Sequence, residues 1–416
     1  MTNTPSSSTI VRGARLWFWI VAFAFAVVMA FTTAPTPLWS SFAEHDHLSS
    51  LTVTIVFAAY AVAVALSLFL AGHLSDWYGR RRVVAMGLAL NMLAALVFVA
   101  WPQLPGLLLA RVLSGLGVGV VTATATAWLA ELDASRRPTH GHRPETIAAA
   151  ASLGGLGIGG LIAGVLAQWA GHALTLPFLV LGGLMASALL AVIFAPETRF
   201  PPSRRRPYRP QRVSVPATSR TRFFAAATGA AITFAIFGLV TSLAPSFLAG
   251  TLHQPSHALA GAVSFAMFAA AAVAQTLTGS RRPQQLLAAA IPALATGIAL
   301  LTLSVWVPTP SLGLFVAGDL VAGAGAGLMF KGAIGSVSEI SLPEHRAEAL
   351  AGLYLAAYLG LAGPVIGLGA LTQVASARVS LLVFSGLVAL GIFAATPALL
   401  GSRGHHASTQ PQPASH

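Results

Sequence analysis

Twelve apolar runs, each long enough to cross a bilayer, follow one another with links too short to fold on their own. They lie at about 16–38, 51–71, 83–101, 105–130, 146–169, 174–195, 223–248, 258–278, 285–306, 311–335, 347–372 and 379–400. About 20 apolar residues wound as a helix span the hydrocarbon. In lipid every backbone N–H and C=O must be satisfied within the segment, which a helix does and an open strand does not. The expected fold class is an all-α membrane protein with twelve transmembrane helices. Composition agrees, with 56% hydrophobic and 8% charged residues, against about 25% charged in a soluble domain. The chain has no cysteine, so disulfides and thiolate metal sites are excluded. A net charge of +12 would suit a nucleic-acid binder, but the arginines lie in short links between apolar runs, so no nucleic-acid partner is expected.

Charge orients the bundle. With the N-terminus inside, 20 of the 23 Lys and Arg residues fall on the cytoplasmic side and only Arg378 lies outside. Arg111 and Lys331, the sole lysine, lie within spans. The positive-inside rule then puts both termini in the cytoplasm, and a multi-pass protein of the cell membrane is expected. The first run follows Arg12 and Arg15 as a signal peptide would, but it is long and eleven more follow, so it reads as a retained helix. The one long break, 196–222, carries eight arginines, with five prolines from Pro196 to Pro210, and reads as an extended cationic linker. It divides the chain into a tail (1–15), a six-helix bundle (16–195), the linker (196–222), a second six-helix bundle (223–400) and a polar tail (401–416). The histidines of that last tail, His405, His406 and His416, fit an unstructured end better than a metal site.

An internal repeat supports the division. At an offset of 208, Pro37 and Trp39 meet Pro245 and Phe247, and Glu131 meets Glu339. Arg111, Gly115, Gly117 and Gly119 meet Asp319, Gly323, Gly325 and Gly327, while Gly155 and Gly159 meet Gly363 and Gly367. One offset linking spans 1, 4 and 5 to spans 7, 10 and 11 predicts two pseudosymmetric six-helix bundles, related by an axis along the membrane normal.

The link between spans 2 and 3 reads Gly72-x-Leu74-Ser75-Asp76-x-x-Gly79-Arg80-Arg81. A basic hairpin explains its arginines but not the whole pattern, which resembles the signature loop of major facilitator superfamily transporters. Arg111, Gly115 and Gly117 match that family's fourth-helix pattern. The resemblance covers residues 16–400 and implies a secondary carrier, not an enzyme. Such a carrier works by alternating access around a midplane site lined by spans 1, 4, 7 and 10. In the family an acid at the inner end of span 4 pairs with the loop arginine and latches the outward-open state; here Glu131 or Asp133 would meet Arg80. The family's antiporter pattern has proline after the first glycine in span 5, where this chain has Leu156. The pair Gly363-Pro364 stands in span 11 instead, which weakens an export assignment drawn from that pattern.

Other candidates follow from burial. Arg111 lies about 10 Å into span 4 at 1.5 Å per residue, where a lone guanidinium costs several kcal/mol unless it meets water or a partner. It either faces the cavity or snorkels to the outer surface. Asp319, its repeat mate, is expected opposite it across the cavity, as a proton carrier or as a static partner of Arg111 or Lys331. Low dielectric disfavours the charged carboxylate and a nearby cation favours it. Lys331 lies about 18 Å along the same helix from Asp319, which excludes a direct pair on a straight helix; near the inner end it either lines the pathway or snorkels. Glu339 is the other acid expected near that cavity, with Trp39, Trp17 and Phe237 among its aromatics. Gly115, Gly117, Gly155, Gly159, Gly160, Gly363 and Pro364 are candidate helix-packing residues, since small residues let helices approach closely in lipid.

No Gly-x-x-x-x-Gly-Lys-Ser/Thr run is present, so ATP coupling is not expected. The reading is a proton-coupled carrier, with export of small amphipathic compounds ahead of metabolite uptake. A small-molecule substrate, protons and the bilayer are its partners, a monomer its expected form, and no cofactor is implied. A membrane enzyme would need a cluster at one depth. Glu44, His45, Asp46 and His47 form the only such group, and they fit an exposed outer turn better than a metal site. A transporter-like receptor is the other rival, separable by flux in proteoliposomes.

Overall fold

The computed structural model describes residues 7–72, 74–134, 143–199, 219–342 and 345–400. The arginines at 136 and 137, most of the linker 196–222 and the tail 401–416 lie outside the described residues. Among the described residues every regular element is helical. The helices are α1 (Ser7–Thr33), α2 (Trp39–His45), α3 (Ser50–Ala71), α4 (Leu74–Tyr78), α5 (Arg80–Ala100), α6 (Leu104–Ala134) and α7 (Arg143–Trp169). They continue as α8 (Leu176–Ile193), α9 (Arg220–Gly250), α10 (His257–Leu277), α11 (Pro283–Trp306), α12 (Leu312–Ile340), α13 (Arg346–Leu371) and α14 (Ala377–Leu400). Twelve helices are long and apolar enough to cross a membrane, with α1 and α2 sharing one span and α4 a short turn between spans.

Prolines separate the two halves of the repeat. Pro35 and Pro37 each lack the N–H that would continue α1, so the helix stops at Thr33 and a 3₁₀ turn, Thr36–Leu38, leads into α2. The repeat mate of Pro35 is Leu243. A single proline, Pro245, removes one bond without breaking α9, which runs on to Gly250.

The glycine pairs of spans 4 and 10 pack alike in the two halves. A Cβ on Gly115 would strike the Tyr60 carbonyl of α3, and one on Gly323 would strike the equivalent Met267 carbonyl of α10. Gly117 sits against Asn91 and Gly87 of α5, and Gly325 against Leu294 of α11. Gly155 and Gly159 bring α7 onto the backbone of α1 at Ala26 and Ala30. Gly160 faces Ser264 of α10. Gly363 and Pro364 depart from the expectation: nothing lies within 4 Å of a Cβ at Gly363, and both are exposed. Gly360 makes the close contact instead, against Ala231 of α9. The offset carried residue types forward, but α13 turns the 363–367 edge outward and buries Tyr358, Leu361, Val365 and Leu368.

The halves meet along α7–α10 and α3–α13. The repeat maps the first contact onto the second, as a two-fold axis requires. Gly160 packs on Gly261, and Thr54 packs on Gly369.

Candidate functional site

The loop between α3 and α5 forms a compact ionic cluster. Gly79 has φ 91°, a backbone that glycine adopts without strain, and a side chain there would also meet the Glu197 carboxylate. The turn aims the first N–H groups of α5 at Glu197, which accepts from Arg80 N at 2.7 Å and Arg81 N at 3.2 Å. A carboxylate at a helix N-terminus satisfies free donors and the dipole together. Arg80 bonds Asp76 and Glu131, each at 2.9 Å, and Ser75 Oγ. Thr198 donates to Glu131. Arg81 reaches the carbonyls of Ile193 and Ala195 at the end of α8.

Of the two acids expected near Arg80, Glu131 is the partner. Asp133 is buried, and its Oδ1 has no partner among the described residues. Glu197 and Thr198 were not singled out from sequence, although an acid directly after a span and facing a basic loop was a usable signal. Every partner in the cluster belongs to the first bundle or to the start of the linker that follows it. The cluster ties α4, α5, α6 and the end of α8 together.

Asp76 is 46% exposed and Glu131 30%. An exposed pair is worth about 0–1 kcal/mol, and Glu131 accepts from both Arg80 and Thr198. Glu131→Gln is therefore expected to slow transport several-fold in proteoliposomes, and Asp76→Asn less. The reverse order would refute this account of the cluster.

Arg111 does not snorkel; it is 1% exposed. Its Nη1 donates to the carbonyl of Thr32 at 3.1 Å. That carbonyl lies in the last turn of α1, where proline breakage frees acceptors and the dipole favours a cation. The guanidinium lies 4.3 Å from the Tyr60 ring centroid, 5.4 Å from Phe57 and 5.8 Å from Trp39. Trp39 and Arg111 are thus brought together. Tyr358 of the second half lies beside Tyr60. Behind Tyr358, Phe234 stands 5.2 Å from its ring and 5.1 Å from Phe330, and Phe330 stands 5.7 Å from Tyr354. Phe237 joins this group against Phe234 and Phe268. Trp17 is half-buried against the first-half core.

Asp319 is fully buried, and neither carboxylate oxygen has a partner among the described residues. Its neighbours on α12 pack on Gly297 and Leu301 of α11 and on Met267 of α10. No ion pair joins it to Arg111 or Lys331 among the described residues. The expected pairing across a cavity fails because Arg111 is held by Thr32, Phe57, Tyr60 and Trp39, all in the first half.

Lys331 donates to the carbonyls of Gln275 and Gly279, each at 2.6 Å. It caps the C-terminal end of α10, where a cation suits the helix dipole. Glu339 is exposed and accepts from Gln284 at 3.2 Å, so it lies apart from Asp319. As the mate of Glu131 it ties the C-terminal end of α12 to the start of α11, with glutamine in place of arginine. Among the described residues, no group of three His, Cys, Asp or Glu side chains is placed to hold a metal.

The family model described as Major Facilitator Superfamily matches residues 16–307. The chain is 29% identical over 133 residues to multidrug resistance protein 2 of Bacillus subtilis, covering 31% of this chain and 32% of that one. It is 33% identical over 117 residues to the putative multidrug resistance protein MdtD of Escherichia fergusonii, covering 28% and 24%. The chain thus spans about a third or less of the length of these curated relatives. Its fold matches the nucleoside transporter NupG with TM-score 0.70 at 14% identity, covering 92% of this chain and 99% of that one. A POT family transporter in complex with 5-aminolevulinic acid matches with TM-score 0.72 at 12% identity, covering 92% and 95%.

Proposed function

The chain belongs to the Major Facilitator Superfamily, and from that premise we propose that it is a proton-coupled carrier exporting small amphipathic compounds by alternating access. The observation that carries the reading is Asp319, a fully buried acid whose oxygens have no partner among the described residues. A charged carboxylate there costs several kcal/mol, while a neutral acid costs far less. Such a group holds a proton while sealed and releases it where water reaches it. The aromatic path of Tyr60, Tyr358, Phe234, Phe330 and Tyr354 supports an amphipathic cargo, since rings offer broad apolar contact and few fixed polar demands. The multidrug resistance names of the partly matching relatives point the same way. Uptake of a metabolite is the second reading, favoured by Leu156 standing where the family's antiporter pattern has proline.

Proteoliposomes with an imposed pH gradient and a fluorescent amphipathic dye test the proposal. Dye should move against its gradient as protons run down theirs. Movement indifferent to the proton gradient would overturn the coupling.

The proposed topology has two bundles, 16–195 and 223–400, with both termini in the cytoplasm of a cell-membrane protein. It rests on the 20-to-1 asymmetry of basic residues between the two sides. Reporter fusions after Arg204 and in the tail after Gly401 should read as internal; an external reading at either point would refute it.

A further inference from the structure

One histidine fastens the outer ends of the two halves. His257 opens α10, and its ring reaches the first half at two points. Nδ1 lies 2.8 Å from the Pro37 carbonyl oxygen, and Nε2 lies 3.3 Å from the Ser41 hydroxyl. A carbonyl only accepts, so Nδ1 carries a proton, and in the neutral ring Nε2 accepts from Ser41. The His257 backbone N–H donates to Gln168 Oε1 of α7 at 3.0 Å, and Ser256 Oγ meets the same oxygen at 3.2 Å. Gly164 packs directly on the His257 carbonyl, and Gly160 on Gly261. Beside this clasp a cavity of about 190 Å³ lies between the halves, with Ser40 and Glu44 on one wall and Pro245 and Ala249 on the other.

We infer that His257 is the outer gating residue of the carrier. Its ring seals the outer mouth by gripping Pro37 and Ser41, and both contacts must part before spans 1 and 8 can separate there. The broken first span gives the clasp its reach inward. α2 carries Ser41, which His257 holds, and Trp39, whose ring lies beside the Arg111 guanidinium. Movement of α2 on opening therefore alters the surroundings of the buried cation. The inference rests on the alternating-access reading above and adds the residue that holds its outer-closed state.

The absence of cysteine from the chain makes the test direct. Exposed Gln103 and Thr309 lie in outer links, one in each half, and Tyr78 and Ser280 are exposed on the inner side, again one in each half. Each pair is replaced by cysteines, spin-labelled, and its distance distribution measured in the full chain in lipid. In His257→Ala the longer outer distance should grow from a minor to the main component while the inner distance shortens. His257→Asn, whose side-chain N–H can still reach the Pro37 carbonyl, should restore the wild-type distributions, and Ser41→Ala should shift them partway. An outer distribution unchanged in both His257→Ala and Ser41→Ala would overturn the clasp, as would simultaneous broadening of both pairs, which marks loss of fold. An outer pair that lengthens while the inner pair stays put would uphold the clasp and instead sink the rocking motion.

Discussion

Asp319→Asn is expected to reduce substrate accumulation to the equilibrium ratio, while exchange and downhill flux survive. The asparagine side chain is permanently neutral, so it mimics the protonated carboxyl and permits the conformational change but cannot carry a proton through it. The site suits this substitution because no cation depends on the carboxylate. Neither oxygen of Asp319 has a partner among the described residues, and folding should be retained. A static ion pair with Arg111 would behave differently: either single neutral mutant would lose stability, and the double neutral mutant would recover folding and coupling. The two groups make no ion pair, so the effects of Arg111→Met and Asp319→Asn on stability should add, and coupling should stay lost. The measurement is the steady-state ratio of labelled substrate across a proteoliposome membrane under an imposed pH gradient. A double mutant that still concentrates substrate against its gradient would refute the proton-carrier role.

The second large effect is expected at Arg111, where size and charge separate. Arg111→Met should lower transport at least tenfold yet change stability by only about 1–2 kcal/mol, because an apolar side chain of similar volume removes a buried charge along with its desolvation cost. Arg111→Lys should be the less stable protein. It keeps the charge but loses the planar stacking on Tyr60, Phe57 and Trp39, contacts worth about 0.5–2 kcal/mol each when desolvated. A shorter grip on the Thr32 carbonyl adds to the loss, since a bond from a charged group contributes about 1.5–3 kcal/mol. Thermal unfolding in detergent and transport in proteoliposomes read the two effects separately. A methionine variant with wild-type transport would show that Arg111 only fills space.

Some of the site was legible before folding. Arg80 with an acid at the end of span 4 was read from pattern, and Trp39 was read as a cavity aromatic, without its contact to Arg111. The rest depended on side chains whose partners are remote in sequence and fixed by packing. Glu197 caps α5 from 117 residues away in the chain, and His257 reaches Pro37 across 220. The repeat misled where identical offsets met different surroundings. Asp319 and Arg111 occupy equivalent positions, but a long guanidinium reaches the broken end of α1, while a short carboxylate reaches nothing.

What the sequence determined by itself is the architecture. Helix number, the two-fold repeat and the close glycine contacts of spans 4, 5 and 10 follow from apolar length and a constant offset. These are properties of segments, and lipid allows few alternatives for each. Tertiary structure alone decided which polar groups meet. Whether Glu131 or Asp133 takes Arg80, whether Lys331 snorkels or caps α10, and whether Gly363 faces protein or the outside all depend on the rotation of each helix about its axis. A small rotation leaves the apolar pattern of a span almost unchanged, because these spans are apolar nearly all round, yet it moves a carboxylate from one neighbour to another.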